Sequence, residues 1–353
     1  MADQNVVYTA DQLHRFCTAA LMAVGVPERD AAITADTMVQ ADLRGVSSHG
    51  VVRLPAYVKR LEAGVVNARP SVSVVRETVA AALVDGDNGL GQVVAYRAME
   101  LAIEKARQAG TGTVGVRGSN HSGASAYYAM MALPHDMIGI VYTSGAANIM
   151  APWGGITPLL GNNPIAYAIP ADKELPVVLD MACSVVARGR ILVALKKGEK
   201  IPPTWALNKY GEPTTDPQEA HDGLVQPIGG YKGYGLALVV GVLSAVLTGG
   251  AFGRQVTDFY NDLVNPQNVG HLLQAVAIDA FMPADAFRRR MDEVIQEIKS
   301  SELARGVDRI YLPGEIEFLT HAERSRNGIP ISLPIARELQ ALGERLRIEP
   351  LPG

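Results

Sequence analysis

Three side chains suited to holding and deprotonating a small hydroxy acid recur at intervals of four. They are His49, Arg53 and Tyr57, in the stretch SSHGVVRLPAY. On a helix this spacing puts all three on one face. An imidazole exchanges protons near neutral pH, a guanidinium clamps a carboxylate with two parallel bonds, and a phenol donates a hydrogen bond. Pro55 lies inside the stretch and clashes with the carbonyl of Val51 if the helix is continuous. A helix surface with incidental polar residues has the same spacing, so the trio alone leaves both readings open.

A second stretch, GTGTVGVRGSNHSG at 110–123, carries two competing signals. Gly110-x-Gly112-x-x-Gly115 has the glycine spacing of a dinucleotide-phosphate loop. That motif requires a strand before the glycines and a helix after them. Here the order is reversed, because 92–108 reads as a helix and TVGVRG as a strand, so the glycines read as the end of a helix. His121 follows the strand and precedes ASAYYAMMAL, a helical pattern. Strand ends that open into helices commonly carry site residues in sheet proteins. The seven histidines and two cysteines show no HExxH or CxxC spacing, and neither a P-loop nor a G-x-S-x-G elbow occurs. Metal ligation and serine-nucleophile chemistry are therefore not expected. Ser122 beside His121 does not make a triad.

The elements that must position these groups are a helical start, a strand-rich middle and a helical end. Apolar residues recur at helical spacing over 11–24 and 28–43, and a short helical segment follows Ser47 and Ser48. Alternation over 71–85 predicts strands. Residues 92–108 return to a helix, and short apolar runs at 112–116, 137–142, 164–169 and 176–179 read as further strands. Residues 200–230 form a polar surface excursion, and helices return from 282, the last over 331–347. The expected division is a largely helical domain from both chain ends, 1–74 with 282–353, and a second domain over 75–281. Residues 233–253 carry no charge. Glycines bound and interrupt that stretch, and its helical part is too short for a bilayer, so a buried core helix is expected.

With 353 residues, 48% of them apolar and a net charge of −4, the chain is an ordinary globular protein without the basic excess of a nucleic-acid binder. Two cysteines and an N-terminus without a signal-peptide core fit a reducing, cytoplasmic setting.

Seven blocks in order resemble one family: ADLRGVSSHGVVRLPAYVKRLEAG, GSNHSG, APWGG, GNNPIAYAIP, DMACS, IPPTWALNKYGEPTTDP and PIGGYKGYGLALVVGVLSAVLTG. The chain is similar over about 10–330 to the type 2 malate/L-lactate dehydrogenases. These are non-Rossmann NAD(P)-dependent enzymes, a group that also includes ureidoglycolate and sulfolactate dehydrogenases, a diketogulonate reductase and a cyclic imino-acid reductase. The resemblance implies a cytoplasmic homodimer of mixed α/β class, with an unusual mixed sheet in the NAD(P)-binding domain.

It also implies roles for particular residues. His49 and His121 are catalytic, with Arg53, Tyr57 and Ser48 on the substrate. Asn120, His121, Gly161, Asn162, Asn163, Pro164, Asp180, Cys183, Ser184, Lys232 and Gly233 lie on the cofactor, NAD or NADP with NAD favoured. Two departures from the family pattern are Asn162 and Cys183, each where threonine is usual. Cys183 is expected to line the cofactor site and not to act as a nucleophile. HSGA at 121–124 and FGRQVTDFYNDL at 252–263 tilt the substrate toward ureidoglycolate. In the expected oxidation Arg53 holds the carboxylate, His49 takes the hydroxyl proton, and His121 orients the oxygen. Reduction of a cyclic 2-imino acid is the alternative.

Overall fold

The structure is a computed structural model, and it describes residues 5–352. In chain order the elements are β1 (Asn5–Tyr8), α1 (Ala10–Ala23), α2 (Glu28–Leu43), α3 (Leu54–Glu62), β2 (Ser73–Glu77), β3 (Ala81–Asp85), α4 (Gly91–Ala109) and β4 (Thr111–Ser119). Then come α5 (Ser125–Met130), β5 (Met137–Thr143), β6 (Ile165–Ile169), β7 (Val177–Met181), α6 (Arg188–Lys197), β8 (Ala206–Leu207), α7 (Pro217–Asp222) and β9 (Leu224–Val225). The chain closes with α8 (Tyr231–Gly241), β10 (Val269–Ala277), α9 (Ala284–Lys299), α10 (Glu315–Asn327), β11 (Ile329–Ser332) and α11 (Leu333–Leu346). Local chemistry sets several boundaries. Thr9 and Gln12 form a reciprocal capping box at the start of α1. Gly110 ends α4 in the left-handed region, at φ 79°. The helix expected over 331–347 is α11, preceded by the short strand β11. β11 pairs antiparallel with β1 and so ties the two ends of the chain together.

The central sheet runs β2-β3-β4-β10-β5-β6-β7, with β3 and β4 parallel and every other pair antiparallel. It is the mixed sheet expected from the family resemblance. α4 is the crossover between the two parallel strands, and it packs so closely on β4 that a side chain at Gly112 would meet the carbonyl of Ala102. The glycines of 110–115 therefore serve a helix end and a helix–strand contact, with no phosphate turn among them.

Apolar burial falls into two large clusters. One joins residues of α1, α2 and α3 to β11 and α11, and takes in Leu90, Val93 and Phe259. The other lies between the sheet and helices α4 and α5. α9 meets the β7 side of the sheet, where the Asp292 carboxylate accepts backbone N–H bonds from Asp172, Lys173 and Glu174.

The uncharged stretch at 233–253 departs from the expected buried helix. α8 passes into one π-helical turn, Val242–Val246. Ala237, Val240, Ser244 and Ala245 face inward. Leu236, Val239, Val242, Val246 and Leu247 are exposed, the last at 67%. Among the described residues no helix is long and apolar enough to cross a membrane.

The α4–β4 contact is testable. A Cβ at Gly112 would lie 2.0 Å from the Ala102 oxygen, a backbone atom that cannot swing away. Gly112→Ala should cost roughly 1–3 kcal/mol and lower the melting temperature by roughly 2–6 °C. An unchanged melting curve would show that helix and strand are not in close contact.

Candidate active site

His49, Arg53 and Tyr57 do not share one continuous helix. Residues 47–49 and 51–53 form two 3-10 turns, and α3 starts only at Leu54 with Pro55 in its first turn. Proline is welcome there, since the N–H it lacks would have no helical partner. Gly50 separates the turns because the Asp42 carboxylate lies directly beneath it. A Cβ at Gly50 would stand 2.1 Å from that carboxylate. Asp42 accepts the backbone N–H of Val51 at 2.7 Å and a hydrogen bond from the Ser47 side chain. A buried acid thus fixes the turn that carries His49 and Arg53.

The fold nevertheless brings the expected groups together. The Tyr57 hydroxyl meets Nδ1 of His121 at 2.8 Å. The rings of His49 and His121 stack with centroids 5.6 Å apart and planes 17° from parallel. Nδ1 of His49 is 3.0 Å from the Ser48 hydroxyl. Nε of Arg53 donates to the Ser48 carbonyl at 2.6 Å, which leaves its two Nη groups for a carboxylate. His121 is held from behind, where its backbone N–H donates to the Gln267 side-chain oxygen. The Asn120 side-chain nitrogen donates to the carbonyls of Asn88 and Gly89 and is committed to the fold, while its amide oxygen has no protein partner.

The loop at 258–262 closes one side of the cluster, a contribution that the sequence reading missed. Phe259 packs on both His121 and Tyr57, and the Arg53 guanidinium stands 5.5 Å from the Tyr260 ring centre. Buried Arg60 pins the loop by donating to the carbonyls of Phe259 and Asp262. Only FGRQVTDFYNDL hinted at this wall, and it did so through resemblance and not through spacing.

Burial sets the charge of the cluster. It lowers His49 to about 4, and the Arg53 charge adds to the effect. It takes His121 well below the ordinary imidazole value, helped by the charges of His49, Arg53 and His271. Burial also raises the Tyr57 phenol. At neutral pH both imidazoles are neutral and able to accept a proton.

A cleft of about 560 Å³ opens beside His49, within the range of cofactor sites. Its walls come from α2 (Thr37, Gln40) with Arg44 just after it, the chain entering α5 (Gly123–Tyr127), Asn162 and Pro164, Val178–Ala182, 311–314, Ile316 and Glu317. Ser125 lines it with a buried hydroxyl that has no protein partner. Volume, apolar walls and an unpaired hydroxyl fit a nicotinamide dinucleotide. Asp180 accepts the backbone N–H of Ala126 at 2.7 Å, and burial raises its carboxyl to about 6.

The other cofactor candidates are divided. Asn163 supports its own loop, accepting from Gly145 and donating to the Ala237 carbonyl. Gly161 packs against Gly145. The Cys183 thiol donates to the Asn163 carbonyl, and burial raises it to about 11, too high for a nucleophile at neutral pH. Ser184 bonds the Val186 carbonyl. Lys232 is exposed in the first turn of α8, and Gly233 packs on the Ile228 carbonyl. Gly161, Asn163, Cys183, Ser184, Lys232 and Gly233 are all absent from the residues lining the cleft. Arg44, 311–314, Ile316 and Glu317 do line it, and no spacing in the sequence marks them.

A mixed-sheet fold that sets two stacked imidazoles and an arginine beside a long cleft defines a dehydrogenase-type site. The profile of the malate/L-lactate dehydrogenase family matches residues 8–340, and the chain belongs to that family. It is 44% identical to a malate dehydrogenase of Pyrococcus abyssi, over 99% of this chain and 98% of the relative. The solved sulfolactate dehydrogenase of Methanocaldococcus jannaschii superposes with a TM-score of 0.92 at 42% identity, covering 98% of both chains. The ureidoglycolate dehydrogenase (NAD(+)) of Escherichia coli K12 is 36% identical, over 91% of each chain.

Asp42 makes the active-site turn sensitive to pH in a defined direction. Burial raises its carboxyl to about 6, partly offset by Val51, Ser47 and the Arg324 charge. In the unfolded chain an aspartate titrates near about 3.9, so the folded state binds this proton more tightly. The resulting stabilisation is complete below about pH 4 and is lost as pH rises through about 6, a change of roughly 3 kcal/mol. Asp42→Asn keeps an oxygen for the Val51 N–H and removes the titration. Urea unfolding from about pH 4 to pH 7 should therefore show the variant gaining roughly 3 kcal/mol on the wild type. Parallel pH profiles would show that Asp42 stays ionised throughout.

Proposed function

We propose that the chain transfers a hydride between NAD and C2 of a small 2-hydroxy or 2-keto acid, with His121 as the proton carrier. The observation that carries this reading is the stacked His49–His121 pair, neutral at working pH, beside an arginine with its Nη groups available. The dinucleotide, when bound in the cleft, accepts or supplies the hydride. Arg53 binds the substrate carboxylate through both Nη groups, which orients C2. His121 takes the hydroxyl proton in oxidation and returns it in reduction. Binding also primes the base. Arg53 depresses both imidazoles, and a carboxylate paired with it offsets that charge, raising their affinity for a proton when it is needed.

His121 suits the role better than His49, which the sequence reading had preferred. Its Nδ1 is held by a buried phenol at 2.8 Å, so the orientation of its ring is fixed. His49 leans on an exposed serine, and its ring lines the cofactor cleft.

Identity is higher to the malate and sulfolactate enzymes than to the ureidoglycolate enzyme, which favours a malate- or sulfolactate-like acid. NAD is favoured over NADP because Asp180 and Glu317 put carboxylates in the cleft, where a 2′-phosphate would be repelled. Arg44, the cation there, stacks on Phe318 and already faces both acids. We assign the chain to the cytoplasm from its two buried, unbridged cysteines.

Malate and sulfolactate should be oxidised with NAD, followed by reduced-nicotinamide absorbance. His121→Ala should lower kcat by roughly 100- to 10,000-fold with cofactor affinity unchanged. Arg53→Lys should act mainly on KM. Turnover confined to a cyclic imine, or full activity without His121, would overturn the assignment.

A homodimer would cover the exposed apolar face of α8 and the following turn. Sedimentation should give a dimer for the wild type and a monomer for the Val239→Asp, Leu247→Asp double variant. A monomeric wild type would rule this interface out.

A further inference from the structure

β4 and β10 fall out of register close to His121. Ser119 pairs with Val269 and Val116 with His271, so Arg117 and Gly118 together stand opposite the single residue Gly270. Gly118 turns into the left-handed region there, at φ 60°. A bulge of this kind bends its strand and removes ladder hydrogen bonds. Side chains from the start of β10 and the chain before it take their place. The Gly118 N–H donates to Oδ1 of Asn268 at 2.8 Å, and the His121 N–H donates to Gln267. Between them the Ser119 hydroxyl meets Nε2 of His271 at 3.0 Å. Nδ1 of the same ring meets the Thr143 hydroxyl, at the end of β5, at 2.6 Å. His271 is 1% exposed and Ser119 fully buried. Burial lowers the imidazole to about 4, so it is neutral, with one nitrogen donating and the other accepting. An apolar side chain would fill this place in the sheet without the desolvation cost of an imidazole. A ring satisfied at both nitrogens instead makes a rigid link between two strands.

We infer that His271 is a positioning residue for His121, acting through Ser119. Its ring braces the bulged end of β4 against the end of β5. Only Asn120 separates Ser119 from His121, and the Asn120 side-chain nitrogen is tied to the carbonyls of Asn88 and Gly89. So short and pinned a segment cannot absorb a shift of Ser119, and the shift reaches the His121 ring. Release of the Ser119 end of the link therefore moves the proton carrier, whereas release of the Thr143 end leaves it in place. A brace for the sheet alone would depend on both ends alike.

The kinetic part of this inference rests on the dehydrogenase reading above, so its test has an arm independent of turnover. His271→Asn keeps an amide at the place of Nδ1, and His271→Gln keeps one at the place of Nε2. Each loses one hydrogen bond, and both should lower the melting temperature by similar amounts. Only His271→Asn releases Ser119. It should lower kcat about tenfold with cofactor affinity unchanged, while His271→Gln stays within about twofold of the wild type. Ser119→Ala should reproduce the loss, and adding it to His271→Asn should change kcat no further. Without substrate, the ring signal of His121 is followed in spectra of isotope-labelled histidine, assigned by its absence from His121→Ala. Its stack on His49 and its contact with Phe259 make that signal sensitive to small displacements. It should move in His271→Asn and Ser119→Ala and stay in place in His271→Gln. Equal kcat in the two His271 variants, an unmoved signal in His271→Asn, or additive losses in the double variant would overturn the role of His271. Should neither His271 variant fold, Ser119→Ala decides alone, and an unmoved signal there overturns the role. Failure of the wild type on every 2-hydroxy acid, with the signals moving as described, would count against the dehydrogenase reading alone.

Discussion

The hydrogen bond between Tyr57 and His121 joins the two halves of the molecule. Tyr57 belongs to the cluster built by the helices of the chain ends. His121 leaves the end of β4, a strand of the central sheet. A bond of 2.8 Å between groups on separate frameworks holds only if each framework fixes its own side. On one side Asp42 locks the turn before α3. On the other, Asn120 and Gln267 tie the strand end to its neighbours. Loosening either would move a proton carrier by tenths of an ångström, enough to affect a reaction that depends on near-attack geometry.

Burial then dictates the chemistry. Placing two imidazoles in a half-buried stack disfavours their charged forms, and Arg53 pushes them the same way. No carboxylate is bonded to either ring: His49 is paired with Ser48, and His121 with Tyr57. The arrangement differs from a triad, in which a buried aspartate orients and charges the base. In the function proposed above, the balancing negative charge arrives with the substrate, on Arg53. That couples recognition of an acid to activation of the base, and it explains why a carboxylate clamp and a proton acceptor belong to one turn of chain.

The sequence made much of this legible, and the reasons are local. α1, α2 and α4 follow from apolar periodicity and end signals lying within a few residues. His121 could be placed at a strand end by reading its immediate neighbours. The spacing of His49, Arg53 and Tyr57 pointed to the right residues through the wrong geometry. It assumed one helix, whereas Gly50 yields to a carboxylate eight residues earlier in the chain. β1 and β11 escaped notice because each is four residues long and finds its partner at the other end of the chain. Arg60 and Phe259 escaped because their roles come from tertiary contact, which leaves no periodic trace. The exposed face of α8 misled for a related reason: a stretch without charge reads the same whether its covering is the core of one chain or the surface of another.

The failed glycine motif and the cleft explain each other. A Rossmann enzyme presents the open start of a helix to the pyrophosphate, and so needs glycines for close approach. Here the helix that begins at the cleft, α5, has its first N–H groups bonded to Asp180. That helix end is already occupied by an anion belonging to the protein, which leaves little positive field for a phosphate. In the function proposed above, recognition passes to walls drawn from α2, β7 and the chain before α10, segments far apart in sequence. Such a groove needs no compact fingerprint, because each segment contributes only a few residues. The glycines near 110 were then left to a different task, letting α4 lie close against β4 and so holding the strand end that carries His121.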